Sequence, residues 1–184
     1  MNFRDLFAIL GGSFFVYVGV LHFTDTEWFE PIVPPILGSA EFWVIASGIV
    51  EIGKTKNNFK ESVSVTTKFI NELYDFENGN VQFKPTKASE KQFRNDFESA
   101  LSYFIGNNPS FSEDSGFALN PWVNVEFKNE SINIYGNIGM AMGNYFFADE
   151  NGDITKVEYS FVYKRIGDTV KIVLHHSSLP YNSN

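Results

Sequence analysis

The sequence predicts an α+β fold, in which helices pack on one face of a curved antiparallel sheet. Three observations predict it. Apolar residues recur at helical spacing in residues 61–76 and again after residue 89. From Trp122 to the end of the chain, strand-like runs of apolar, β-branched and aromatic residues are separated by short turns. Helices come first and strands afterwards, which argues against alternating βαβ units. An N-terminal hydrophobic helical hairpin is expected before this domain. The chain thus divides into residues 1–53, a linker at 54–60, and the domain at 61–184.

Between Asp5 and Asp25 runs an uncharged stretch, LFAILGGSFFVYVGVLHFT. Its length matches a transmembrane helix, which needs about 20 apolar residues. A signal-like leader, and with it export, is the rival reading, but no small-residue cleavage site follows. A second apolar stretch, PIVPPILGSAEFWVIASGIVEIG, covers residues 31–53. Pro34 and Pro35 break any helix at its start. Arg4 before the first stretch, and Lys54, Lys56 and Lys60 after the second, place both ends in the cytoplasm if both stretches insert. The expectation is a membrane anchor in residues 1–53, with the remaining domain on the cytoplasmic side.

The domain opens with a helix over ESVSVTTKFINELYDF (61–76), with Val65, Phe69, Leu73 and Phe76 on one stripe. VQFKPTKA (81–88) reads as extended, since Pro85 disfavours helix before it. Ser89 and Gln92 fit a capping box for the next helix, whose stripe is Phe93, Phe97, Ala100, Leu101 and Phe104. Gly106 ends it. Strands are expected at 122–127, 131–136, 139–148, 156–165 and 169–178, joined by the turns KNE, DENGD and IGD.

Composition narrows the chemistry. The net charge of −8 argues against a nucleic-acid partner. With no cysteine there is no disulfide framework, thiolate zinc site or thiol nucleophile. Three histidines, His22, His175 and His176, make an imidazole-based zinc site hard to assemble. The last strand ends in LHHSSLPY (174–181), where alternation puts His176 and Ser178 on one face and His175 and Ser177 on the other. One pair should line a pocket between sheet and helices. Adjacent strand residues point apart, so the two imidazoles do not share an ion.

Several segments carry resemblances. GVLHF (19–23), IVPP (32–35) and SGIVEIG (47–53) resemble the start of DoxX-like membrane proteins. KVEYSFVYKR followed by KIVLHHSSLPY resembles the ending of the calcium/calmodulin-dependent kinase II association domains, which belong to the nuclear-transport-factor-2-like superfamily. FKPTKASEKQFR (83–94), ALSYFIG (100–106), GFALNPWVNVEF (116–127), MAMGNYFF (140–147) and LHHSSLPY, in that order, resemble the iota-class carbonic anhydrases. The resemblance implies a cone-shaped domain that interconverts carbon dioxide and bicarbonate; a homodimer through an exposed apolar sheet face is expected under any reading. It implies no catalytic zinc and no required cofactor, with manganese as the alternative. It carries the catalytic roles to Thr86, Tyr103, His176 and Ser178. Thr86, Tyr103 and Ser178 would also hold the substrate, joined by Asn144 and Tyr159. His176 would accept the proton of the attacking water, since a free imidazole titrates near 6.5. Competing readings are a non-catalytic association module and a SnoaL-like or ketosteroid-isomerase-like pocket protein. The latter would need a buried carboxylate or histidine base, whereas Asp149 and Glu158 sit near strand ends.

Overall fold

The structure, a computed structural model, describes residues 40–182 apart from Asn80 and Asp168. Helix α1 (Ala40–Lys54) comes first, and from Ala46 onward its residues belong to a compact unit that runs to Asn184. Ile49 and Ile52 of α1 are buried. Gly48 permits this, because a Cβ there would stand 2.4 Å from the Phe69 ring. The second apolar stretch is therefore apolar, in its C-terminal half, because it packs on the domain.

Within the described residues, that overturns the expected membrane-anchored location. Among the described residues no helix is long and apolar enough to cross a membrane. With 15 residues, α1 reaches about 22 Å against the roughly 30 Å of a bilayer core. The first apolar stretch, the hairpin it would form, and the signal-like leader all lie outside the described residues.

Helix α2 (Phe59–Leu73) starts at Asn58, whose side chain accepts from the Glu61 N–H at 3.3 Å. It buries Ser62, Thr66, Phe69, Ile70 and Leu73. It stops before Phe76 because Tyr74 is already extended and forms a parallel bridge with Ile172. Helix α3 (Phe97–Ile105) starts later than the capping box at Ser89 suggested. Its N-cap is Asp96, with Ser99 completing the box, and Gly106 at φ 67° closes its end. Ser89 instead hydrogen-bonds Glu113, and Phe93 is 65% exposed rather than on the apolar stripe. Short 3-10 turns at Pro109–Phe111 and Phe117–Leu119 follow.

The sheet holds five strands in the order β1-β5-β4-β3-β2. They are β1 (Gln82–Lys84), β2 (Trp122–Tyr135), β3 (Ile138–Asp149), β4 (Ile154–Ile166) and β5 (Thr169–Ser178). β2 to β5 are antiparallel as expected, while β1 joins β5 in parallel, so the sheet is mixed. The expected KNE turn is a bulge: one long strand runs through it, with a register shift between Asn129 and Ser131. Gly143 faces that bulge, where a Cβ would meet the Lys128 carbonyl oxygen at 2.2 Å.

A second irregularity decides the site. Val162 pairs with Leu174 but Tyr163 pairs with Ile172, leaving Val173 as an extra residue in β5. Ile172, His175 and Ser177 are consequently all buried, and His176 is exposed. Tyr145 on β3, with Val157, Tyr159 and Phe161 on β4, fills the same inner face.

Candidate active site

On the inner face, Phe83 of β1 stacks on His175 with ring centroids 4.7 Å apart, and Phe161 lies at 4.4 Å on another side. Apolar rings thus surround the imidazole, and hydroxyls meet its two nitrogens. The Tyr74 hydroxyl is 2.9 Å from Nδ1 and the Tyr145 hydroxyl 3.3 Å from Nε2. Burial, aided by the neighbouring His176, pushes His175 down to about 3, so at neutral pH it is an uncharged ring. An uncharged imidazole donates from one nitrogen and accepts at the other, so it holds the two phenols in opposite hydrogen-bonding roles.

The second layer is made of hydroxyls. Thr86 Oγ1 donates to Ser177 Oγ at 2.9 Å. Thr86 also interacts with the hydroxyls of Tyr103 and Tyr145, and Ser177 with that of Tyr145. Tyr103 comes from α3, Tyr145 from β3, Ser177 from β5 and Thr86 from the segment after β1, so four separate elements converge. Burial holds Tyr74, Tyr103 and Tyr145 well above the usual phenol range, which keeps all three protonated near neutrality. The cluster is a set of uncharged donors and acceptors walled by Phe83, Phe104 and Phe117 rings around Tyr103. Thr86 is its least buried member.

The predicted residues separate. Thr86 and Tyr103 meet in the cluster. Tyr159 stacks on Tyr145 at 5.2 Å, but its hydroxyl donates to Asn129. His176, Ser178 and Asn144 lie on the outer face, where they line an open hollow of about 360 Å³ with Glu158 and Met142. There Ser178 Oγ donates to Glu158 Oε2 at 3.2 Å. The expected convergence of His176 and Ser178 with Thr86 is thus corrected. Ser177, with His175 beside it, is carried inward by the parity of β5 beyond its bulge; Ser177 bonds Thr86, and His175 joins the cluster through Tyr145. Tyr74, in the α2–β1 connection, carried no sequence signal, since it lies off the Val65, Phe69, Leu73 and Phe76 stripe.

Comparisons with known proteins bear on this arrangement. The family model described as "Metal-independent carbonic anhydrase" matches residues 39–179. The chain belongs to the metal-independent carbonic anhydrase family. A curated metal-independent carbonic anhydrase from Nostoc sp. is 42% identical over 120 residues, covering 64% of this chain. The matched part spans 58% of that relative's own length. The crystal structure of an iota-carbonic anhydrase from a cyanobacterium, complexed with bicarbonate, superposes with a TM-score of 0.76 at 35% identity, covering 78% of this chain and 90% of that one. A calcium/calmodulin-dependent protein kinase II association domain from Xanthomonas campestris gives a TM-score of 0.45 at 21% identity, covering 63% and 75% of the two chains, too low a likeness to bear on the fold. The resemblance of residues 1–53 to DoxX-like proteins finds no support. Residues 11–56 match instead a family described as "Domain of unknown function (DUF8561)". Among the described residues no group of three or more His, Cys, Asp or Glu side chains could hold a metal ion.

Proposed function

We propose that the chain hydrates carbon dioxide to bicarbonate, and that the inner hydroxyl cluster is the active site. The observation that carries the reading is the meeting of Thr86, Tyr103, Tyr145 and Ser177 hydroxyls beside an uncharged His175, in a chain of this family. Bicarbonate has three oxygens, and the cluster offers four hydroxyls to hold them. In the forward direction water attacks the carbon of carbon dioxide, one carbon–oxygen π bond opens, and the water gives up a proton. Negative charge grows on the former carbon dioxide oxygens. Tyr103 and Tyr145, fixed before the reaction, donate hydrogen bonds to those oxygens. Thr86 and Ser177 orient the water. The proton is relayed by the hydroxyls to solvent water on the less buried Thr86 side, because burial makes His175 a poor resting place for it. His175 works by fixing the Tyr145 hydroxyl.

A pH-indicator stopped-flow assay after metal chelation tests this. Wild-type chain should exceed the buffer rate. Thr86→Ala, Tyr103→Phe and Ser177→Ala, each folded, should lose about 100-fold, the scale of removing one donor from a charge-stabilising site. Wild-type protein no faster than buffer contradicts the reading. The same reading carries a homodimer formed through the outer sheet face, where Met140 and Met142 are exposed. Light scattering that gives a monomer at working concentration removes that part.

A further inference from the structure

Residues 85–95, which carry Thr86, form a loop that leaves β1 after Lys84 and is tied back to Phe83 twice at its far end. The Arg94 N–H donates to the Phe83 carbonyl at 2.7 Å, and the Phe83 N–H donates to Asn95 Oδ1 at 3.2 Å. The middle of the loop is held mainly by one carboxylate, beside a bond from Lys91 Nζ to the Ser110 carbonyl at 2.6 Å. Glu113 accepts the backbone N–H groups of Ser89, Glu90 and Lys91 at 2.7, 2.9 and 2.8 Å, and the Ser89 hydroxyl at 2.9 Å. Arg94, whose side chain is fully buried, rises from the same loop and reaches both Glu113 at 3.2 Å and Asp114 at 2.7 Å. Asp114 accepts from Ser102 Oγ at 2.6 Å, and Ser102 precedes Tyr103 on α3. Two adjacent carboxylates therefore clamp the Thr86 loop to the helix that supplies Tyr103. The backbone N–H groups of Glu90, Ser89 and Lys91 hold the Glu113 carboxyl well below the usual carboxylate range, so Glu113 stays charged well into acid.

We propose that Glu113 is a positioning residue that acts on catalysis through Thr86, by holding the 85–95 loop at the height where the Thr86 hydroxyl meets Ser177 and Tyr103. Nothing else on the loop fixes its middle with comparable multiplicity. A hydroxyl in a preorganised site loses much of its effect when displaced by about 1 Å, a shift that can cost on the order of 100-fold. The inference rests on the carbonic anhydrase reading of the Thr86 cluster and adds a part to it.

A double-mutant cycle in the hydration assay tests it, with Glu113→Ala and Thr86→Ala singly and together. Glu113→Gln runs beside them: it keeps an acceptor for the loop N–H groups, loses less, and carries the cycle if the alanine variant does not fold. Lys171→Met serves as a control of stability, since Lys171 anchors β5 to α2 through the carbonyls of Asn71 and Glu72, away from the cluster. Glu113→Ala should lower kcat at least about tenfold per folded molecule, with a smaller change in KM. In the Thr86→Ala background it should cost nothing further. The Lys171 variant, at equal or greater loss of Tm, should keep its turnover. Glu113 variants as active as wild type, or equally damaging in both backgrounds, overturn the positioning role and leave the Thr86 cluster standing. Full activity of Thr86→Ala, or wild-type protein that does not hydrate carbon dioxide, overturns the cluster reading and this inference with it.

Discussion

The two faces of β5 carry the same two residue types, one position apart. Inward, His175 and Ser177 are buried, ringed by aromatics, and bonded to hydroxyls from three other elements. Outward, exposed His176 and half-exposed Ser178 border an open hollow, where Ser178 donates to Glu158. The inner imidazole is uncharged because burial removes the water that would solvate a cation. Composition is thus the same on the two faces, and what differs is preorganisation. Fixed dipoles in a dry site stabilise developing charge, and mobile ones in water do so far less.

Truncations on the two faces should differ most in stability. Phe83→Ala empties the centre of the inner cluster and should cost about 3–5 kcal/mol in urea unfolding. Met142→Ala on the outer face, unfolded at a protein concentration where the chain is monomeric, should stay within about 0.5 kcal/mol. Equal losses in the monomer would contradict the difference between the faces. Next come the two histidines. His175→Asn should lower kcat/KM about tenfold or more by freeing the Tyr145 hydroxyl, whereas His176→Asn should stay within about twofold. The reverse ranking would move the site to the outer face.

The pH dependence of stability separates the faces further. His175 has its folded value lowered to about 3 from an unfolded value near 6.5. Between those values the unfolded chain binds more protons than the folded one, so stability falls as pH falls. The contribution is fully present above about pH 6.5 and is lost progressively toward pH 3, with a slope of at most about 1.4 kcal/mol per pH unit. Denaturation midpoints at pH 7 and pH 5 should show it, and His175→Gln should flatten it while His176→Gln leaves it. The smallest effect belongs to Ser178→Ala. Its single exposed bond to Glu158 should be worth less than about 0.5 kcal/mol, within the error of a thermal melt.

The sequence made part of this legible. Apolar spacing located α2 to within a few residues, and strand-like runs located β3, β4 and β5, whereas β2 reads as two strands because a bulge at KNE looks like a turn. The order of helices before strands gave the fold class. Thr86 and Tyr103 came from motif resemblance, and the structure brings them together. The choice between His175 and His176 was not readable, because β5 contains a bulge at Val173. Strict alternation from buried Ile172 would point His176 and Ser178 inward, and one extra residue inverts that parity. The start of α3 was misplaced for a related reason. Ser89 and Gln92 have the spacing of a cap, but a carboxylate 24 positions beyond Ser89 claims its N–H and hydroxyl. A local pattern cannot reveal a distant competitor. Residues 46–53 read as membrane-seeking because apolarity alone does not distinguish a lipid from the Phe69 side of a domain.

The most direct test of the central claim is a crystal structure of the chain soaked in bicarbonate. The account predicts the anion on the inner face, with its oxygens within hydrogen-bonding distance of Thr86, Tyr103, Tyr145 and Ser177. An anion held instead by His176 and Ser178 in the outer hollow, with the inner cluster closed on itself, would contradict it.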